Sequence, residues 1–518
     1  MNAQEILHNV KLSGTTQGSL VTVERVSQDA FTLLCNRLSL EFKLPLSLLY
    51  ATDNRKKGKG FGVHVLFSLD ASHEWLLVET SLPEANPTYE SLTKTIMEAH
   101  WYERYAMDMF GIKAEGHPDP RRLVHHENVP KNTHPLRKDF AWNTKMEHAN
   151  EPYPMHHIEG EGIFEIPVGP IHAGIIEPGH FRFNVAGERI ITLEGKLFFT
   201  HKGVEKLMEG KTVEEALPYI ERISGDMSAS FSLAYALALE NLSHTNVPEC
   251  AQQLRVLVTE LERITMHTHD IANMAGMGTG FTVMAAHGFR VKEKMMRLSE
   301  RVFGNRFWRG YIAPGGVSKS LSVEELRDIQ KTTKEVVDEM QDLFELGRHS
   351  DGLRERLETT GVLAKDVAVA FGALGLSARG SGVDRDVRRD HPYAAYGEMK
   401  PEVLTFEKGD VYARWKLRAL EMIESMKLVE AVCSSNNEGA THVEVQAKDG
   451  MGIGAVEAWR GETLVAVYVE NGRITRCVPR DPSFCNWALF GAIGPGNIIP
   501  DFPLCNKSLD LSYSGTDL

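Results

Sequence analysis

The sequence predicts an α+β chain in two unequal parts: a small α/β unit over residues 1–140, then a larger, mainly α-helical part over 163–518 with peripheral β-strands. Three observations predict it. Strand-like apolar segments cluster before residue 90, a polar stretch rich in Pro and His (NTKMEHANEPYPMHHIEGEG) interrupts the pattern, and helical patterning dominates most of the chain beyond it.

In the first part, Leu20 to Val26, Phe61 to Leu69 and Glu74 to Leu82 read as strands, and Asp29 to Leu38 as a helix. A second helix is expected after Pro87, where Leu92, Ile96 and Ala99 fall at helical spacing. Residues 141–162 form the expected linker. Beyond it, Phe164 to Val168 and Phe181 to Leu197 read as strands. Thr212 with Glu215, and Ser322 with Glu325, are capping-box pairs that mark helix starts. After Ser322, Leu326, Ile329, Val336, Met340 and Leu343 make one apolar stripe, which reads as core or subunit interface. Thr441 to Val478 alternates like strands, and a coil-like tail ends at Leu518.

With 518 residues, 42% of them hydrophobic and 25% charged, the chain has the material for a large core. Its formal charge of -13 argues against a nucleic-acid binder, which presents a basic surface to phosphates. Basic residues in Asp384-Arg385-Asp386-Val387-Arg388-Arg389-Asp390 alternate with acids, as in a solvated or salt-bridged segment. No run reaches the ~20 apolar residues of a membrane helix. The start, MNAQEILHNVKLSG, lacks the pattern of a secretory signal. Six cysteines without a Cys-x-x-Cys pair fit a reducing compartment, so a cytoplasmic location is expected. His267 and His269 are two apart on a helical segment and do not share a face as a zinc pair would. The adjacent pairs His125-His126 and His156-His157 read as solvent-facing loop residues.

The longest constellations lie elsewhere. The first part carries Glu103-Arg104-Tyr105-Ala106-Met107-Asp108-Met109-Phe110-Gly111, Gly116-His117-Pro118-Asp119-Pro120-Arg121-Arg122-Leu123 and His134-Pro135-Leu136-Arg137-Lys138. This resembles the C subunit of NADH:quinone oxidoreductase (complex I), with Tyr105 where that family usually has glutamate. Glu103, Arg104, Asp108, Arg121 and Arg122 are expected to form a structural charged network. The second part carries Gly169-Pro170-Ile171-His172, Glu177-Pro178-Gly179-His180-Phe181-Arg182, Arg379-Gly380-Ser381-Gly382, Asp386-Val387-Arg388, and Gly452-Ile453-Gly454 through Glu457 to Arg460-Gly461. This resembles the complex I D subunit and the large subunits of group 4 membrane-bound nickel-iron hydrogenases. Fusion of the two parts resembles the hydrogenase-4 and formate hydrogenlyase arrangement.

Lys202-Gly203-Val204-Glu205, fifteen residues, then Glu221-Arg222-Ile223-Ser224-Gly225-Asp226-Met227 looks like the first nickel-binding signature of that family, and Asp510-Leu511-Ser512-Tyr513-Ser514-Gly515 like the second. Where the family has four cysteines, this chain has Ser224, Met227, Ser512 and Gly515. Nickel in that setting needs soft, anionic thiolates. Serine is a hard protonated donor, methionine a neutral thioether, and glycine offers no side chain, so no metal is expected. The resemblance implies an extension past the second signature that nickel-bearing relatives process, and with Thr516-Asp517-Leu518 so soon after Gly515 no such processing is expected. The family's quinone pair is missing as well: the tyrosine position is Gly225 and the histidine position falls near Glu177 or Pro178, leaving His172, His180 and Tyr235 as possible substitutes.

The resemblance implies four candidate catalytic residues. Glu205 corresponds to a residue on the relatives' proton path, Arg222 flanks the former metal site, Arg460 takes the position of the active-site arginine, and His172 lies in the Gly-Pro loop. Glu205, Arg222 and Arg460, if buried together without a metal, must be paired or protonated. The implied function is a peripheral large subunit, on the inner face of the cell membrane, of a complex I or hydrogenase-4 type respiratory complex. Its expected partners are an iron-sulfur small subunit holding [4Fe-4S] and antiporter-like and other integral membrane subunits. The implied acceptor is quinone or another molecule, coupled to ion translocation. The alternative is a non-catalytic scaffold coupling an antiporter-like membrane module to another protein.

Overall fold

The computed structural model describes every residue except 18–19, 173–175 and 436–438, and every remaining side chain except those of Gln17 and Met277. The first part is built on a five-stranded sheet whose spatial order is Thr15–Gln17, Val21–Arg25, Glu74–Leu82, Phe61–Leu69, Leu46–Asp53. All neighbours run antiparallel except Val21–Arg25 with Glu74–Leu82. Helix Gln28–Leu40 packs against Glu74–Leu82, and helix His100–Phe110 against Leu46–Asp53. Strands Leu46–Asp53 and Phe61–Leu69 are buried along their whole length, as strands with both faces covered must be.

The helix expected directly after Pro87 does not start there. Residues Thr88–Glu90 pair as a short strand with Lys113–Glu115, turns follow, and the helix begins only at His100. Residues 141–162 contain no helix or strand.

The second part opens with a three-stranded antiparallel sheet, Ile163–Val168, His180–Ala186 and Arg189–Lys196. A helical bundle follows around Glu249–Thr279, which packs against Thr282–Phe303, Val411–Ser434 and Phe502–Leu509. Both expected capping boxes form, at Thr212/Glu215 and Ser322/Glu325. In helix Val323–Arg348 the stripe Leu326, Ile329, Val336 and Met340 is buried, while Leu343 is partly buried against it.

A second antiparallel sheet, Gly450–Ala458, Gly461–Glu470 and Arg473–Arg480, lies on helix Ser228–Ser243. Gly452 and Gly454 permit that approach: a Cβ would stand 2.0 Å from Ala238 O at the first and 2.1 Å from Ala234 O at the second. Thr441 to Gln446, expected as a strand, has only an isolated bridge from His442 to Gly316. The tail is not coil either. Helices Phe502–Leu509 and Tyr513–Asp517 carry the chain back into the core, where Leu509, Leu511, Tyr513 and Leu518 are buried.

The two parts meet over a broad surface. Tyr50 and Tyr468 share a hydroxyl hydrogen bond at 2.7 Å, Ser68 bonds His391 at 2.6 Å, and Trp75 stacks on His391 with ring centroids 4.0 Å apart.

Candidate functional site

The two signature-like segments, nearly three hundred positions apart, fold against each other. Ser224 Oγ lies 2.9 Å from Ser512 Oγ, and Ser224 also donates to Asp226 at 2.8 Å. Ser512 caps the short helix Tyr513–Asp517, accepting from Gly515 N at 2.9 Å. Met227 is fully buried. Beside Gly515 stands the Asp481 carboxylate, so close that a Cβ there would fall 2.1 Å from Asp481 Oδ2. Ser224, Ser512 and Gly515, three of the four signature positions, therefore converge on one cluster whose space is taken by hydroxyls and a carboxyl. The donors present are hard oxygens and one thioether, and two of those oxygens bond each other, so the set does not fit a soft thiolate-bound metal. Among the described residues, no group of three or more His, Cys, Asp or Glu is arranged to hold a metal ion.

Arg460 closes this cluster. It grips Asp226 with two parallel hydrogen bonds at 2.8 and 2.7 Å, donates to the Asp510 carbonyl, and approaches the Asp510 carboxylate at 3.4 Å. Its guanidinium lies 3.8 Å from the Trp459 ring centroid, within cation–π range. Burial opposes ionisation of Asp226, but the guanidinium overrides it and holds the carboxyl below its ordinary value. Burial pushes the neighbouring Asp481 carboxyl up. Asp270 is pushed well above its usual range, first by burial and then by the adjacent Asp510 charge.

Glu205 does not join this group. On the short helix Val204–Met208 it is buried, ion-paired to Arg476 at 2.6 Å, and it accepts a hydrogen bond from the Tyr105 hydroxyl of the first part. Burial and the Glu205 charge hold the Tyr105 phenol well above its ordinary pKa, so it serves as a donor. Arg222 departs further from expectation. Its side chain is 56% exposed, donates to Pro218 O at 2.7 Å, and has Glu221 at 3.8 Å as its nearest acid. The expected buried trio of Glu205, Arg222 and Arg460 is therefore not formed, because the turn carrying Ser224 inward points Arg222 to solvent. His172 braces its own loop, donating from Nε2 to Gly179 O at 2.7 Å. His180 bonds Gly169 O at 3.2 Å, and Tyr235 donates to Val213 O at 2.8 Å.

Residues 21–146 match the family described as respiratory-chain NADH dehydrogenase, 30 Kd subunit, and residues 278–450 the 49 Kd subunit family. Formate hydrogenlyase subunit 5 of Escherichia coli is 31% identical over 486 residues, covering 91% of this chain and 84% of the relative. Hydrogenase-4 component G of the same organism is 30% identical over 483 residues, covering 91% and 83%. The C/D subunit of NADH-quinone oxidoreductase from Sulfurihydrogenibium is 31% identical over 452 residues, covering 80% and 77%. This chain belongs to the complex I and group 4 hydrogenase large-subunit family.

Within this complex I and hydrogenase-type chain, several residues that organise the site are not evident in sequence. Arg476 and Asp481 come from the end of the last sheet and the turn after it, and neither lies in a signature-like segment. A second buried network was also missed in part: Arg379 pairs with Glu421 and Glu457 at 2.7 Å each, and Arg388 with Asp386 at 2.7 Å and Glu260 at 3.1 Å. The available signal was a helix, Val411–Ser434, whose charged residues, Glu421 among them, are spread round it rather than gathered on one face. The segment Asp384 to Asp390 is thus half solvated, through Arg389 with Asp384 and Asp390, and half core. His267 joins the core network through Glu421 at 2.9 Å, and His125 is buried rather than solvent-facing.

The charged network of the first part works by gripping backbone. Glu103 accepts from Leu92 N at 2.8 Å, Asp108 from Leu123 N and Val124 N at 2.9 and 2.8 Å, and Arg104 donates to the carbonyls of Arg121 and Arg122. Its acid–base pairs are Arg104 with Asp119 at 3.2 Å, and Arg121 with Asp119 and Glu194. Among the described residues, no helix is long and apolar enough to cross a membrane.

Proposed function

We infer that this chain is the peripheral large subunit of a membrane-bound respiratory complex of the NADH:quinone oxidoreductase and hydrogenase-4 type, on the inner membrane face, without a nickel-iron centre of its own. The observation that carries this reading is similarity along 91% of the chain to formate hydrogenlyase subunit 5, combined with hard oxygens at the positions a metal would need. Electrons reach the complex through [4Fe-4S] in an iron-sulfur small subunit and leave on a quinone or another acceptor. That transfer drives ion translocation in antiporter-like and other integral membrane subunits. Asp226, Arg460 and Asp510 form the acid–base group available to respond to it.

A second reading rests on a specific observation. Ser224 and Ser512 satisfy each other, and Asp481 fills the space beside Gly515, as in a cluster that only holds its own shape. On that reading the chain is a non-catalytic scaffold coupling the membrane module to another protein. Purification of the tagged chain from gently solubilised membranes, with partner identification and iron and nickel quantitation, separates the two. Iron without nickel, with an iron-sulfur subunit and antiporter-like subunits, is the expected result. Membrane partners with neither metal would favour the scaffold, and stoichiometric nickel would overturn both.

A further inference from the structure

A cleft of about 1350 Å³ opens on the seam between the two parts of the chain and shares no residue with the serine-lined cluster. Its floor is the sheet of the first part, where Thr52, Gly62 and Ser81 stand side by side on neighbouring strands. On one side lies the turn 54–60, which joins strands Leu46–Asp53 and Phe61–Leu69. On the other lies the hairpin end at Glu470 and Arg473, which face each other across strands Gly461–Glu470 and Arg473–Arg480. Lys57 of the turn is ion-paired to Glu470 of the hairpin, so the two sides meet at one point.

Seven cationic side chains and four carboxylates line this cleft, in a chain whose formal charge is -13. Each carboxylate already has a cation: Glu470 has Lys57, Glu79 has Arg25, Glu209 has Lys138 at 2.6 Å, and Asp53 has Arg55 at 2.7 Å. Arg476 is taken by Glu205. Lys56, Lys59 and Arg473 remain, exposed and with no carboxylate at ion-pair distance among the described residues. Arg473 donates one hydrogen bond, to Gly210 O at 2.7 Å. Two of the three come from the first part and one from the second, and all lie within a few positions of the Lys57–Glu470 pair, so their fields add in one place.

Size and lining select the occupant. Small-molecule sites hold roughly 300–1,000 Å³ and are lined mainly by hydrophobic and aromatic side chains. This cleft is larger, and Val26, Phe110, Leu136 and Ile474 are the only hydrocarbon side chains among its lining residues. A concave surface does not match a flat layer of lipid headgroups, and the net negative charge of the chain repels a nucleic-acid strand beyond the cleft. We propose that the cleft holds an acidic segment of a second polypeptide, its carboxylates paired with Lys56, Lys59 and Arg473. The site exists only where both parts of the chain are docked, since each supplies part of the charge. This inference rests on the membership of an assembly given under Proposed function, but not on electron transfer or on the state of the nickel positions.

A carbodiimide, applied to the complex purified from gently solubilised membranes, joins a lysine amine to a carboxyl in contact with it: an amide forms, and the water lost converts the carbodiimide to a urea. Peptide mass spectrometry is expected to find Lys56 or Lys59 linked to an Asp or Glu in an acid-rich segment of a second chain, with the Lys57–Glu470 link as internal control. The control link alone would overturn the proposal while leaving the partner list, and so the reading under Proposed function, standing. Binding to the full chain by itself is read from the fluorescence anisotropy of a labelled octaglutamate peptide. It is expected to weaken with added salt and to fall roughly tenfold in Lys56→Glu/Lys59→Glu/Arg473→Glu, whose exposed side chains leave the core untouched. The control Lys331→Glu/Lys408→Glu/Lys448→Glu, at exposed lysines elsewhere, is expected to lose far less. Equal loss in the two triple variants would overturn the proposal in favour of general charge attraction, and tighter binding of tripolyphosphate than of the peptide would overturn it in favour of a compact anion.

Discussion

The hydroxyl of Ser224 lies 2.9 Å from that of Ser512, 288 positions along the chain, and ties the two signature-like segments together. Two thiols so placed need little movement to reach the ~2.05 Å of a disulfide bond. The double variant Ser224→Cys/Ser512→Cys is expected to lose two hydrogens on mild oxidation, read by intact mass, and to regain them with reductant. Neither single variant should form the bond within the chain.

Arg460 holds Asp226 by two hydrogen bonds and touches Asp510. Arg460→Met keeps much of the volume but leaves Asp226 without its cation and Asp510 to Lys507, 3.4 Å away, at an expected cost of roughly 3 kcal/mol in denaturant unfolding. Adding Asp226→Asn should recover part of that loss, since one uncompensated charge is then removed. A double-mutant cycle measures the coupling directly.

Arg222, by contrast, is 56% exposed and donates to Pro218 O in the helix Val213–Ile220 that precedes it. Arg222→Gln is expected to change stability by no more than about 0.5 kcal/mol. Any loss of complex assembly in that variant, followed by co-purification, would then report an interface contact rather than a folding defect.

Glu262 is buried against the start of helix Ser228–Ser243, accepting from Ala229 N at 2.8 Å and Ser230 N at 3.1 Å. Burial raises its pKa from 4.5 to about 7 despite those bonds. The folded state therefore binds this proton more tightly than the unfolded state, and stability rises as the carboxyl is protonated. Its contribution is complete below pH 4.5 and is lost as pH climbs through about 7. Glu262→Gln is expected to flatten the stability profile across that window, measured as denaturant midpoint against pH.

Much of the fold was legible because local patterns and the final packing agree. Strands Phe61–Leu69 and Glu74–Leu82 begin and end where their apolar composition indicates, and both capping boxes form. Strand Leu46–Asp53 was not legible: buried on both faces, it shows no alternation, and it follows Pro45. The tail misled for the opposite reason. Its Ser, Gly and Asp residues are turn formers, yet Ser512 uses its hydroxyl as a helix cap and Asp517 accepts from Phe198 N and Thr200 N at 2.9 Å. At the site, spacing along the chain indicated which residues stand near one another but not which way each side chain points. Arg222 and Ser224 are two positions apart, one outside and one buried. Glu205 finds its partners in Tyr105 and Arg476, both far away in sequence.

That last contact bears on why the two parts share one polypeptide. Severed within residues 141–162, the second fragment would keep a buried carboxylate whose phenolic donor had left with the first, and the aromatic surface around Phe484, now covered by Trp101, Tyr102 and Tyr105, would face water. Each fragment would need the other as the protomers of an obligate dimer do, and their union would weaken on dilution. A covalent join removes that dependence by fixing the effective concentration of one partner at the other's surface.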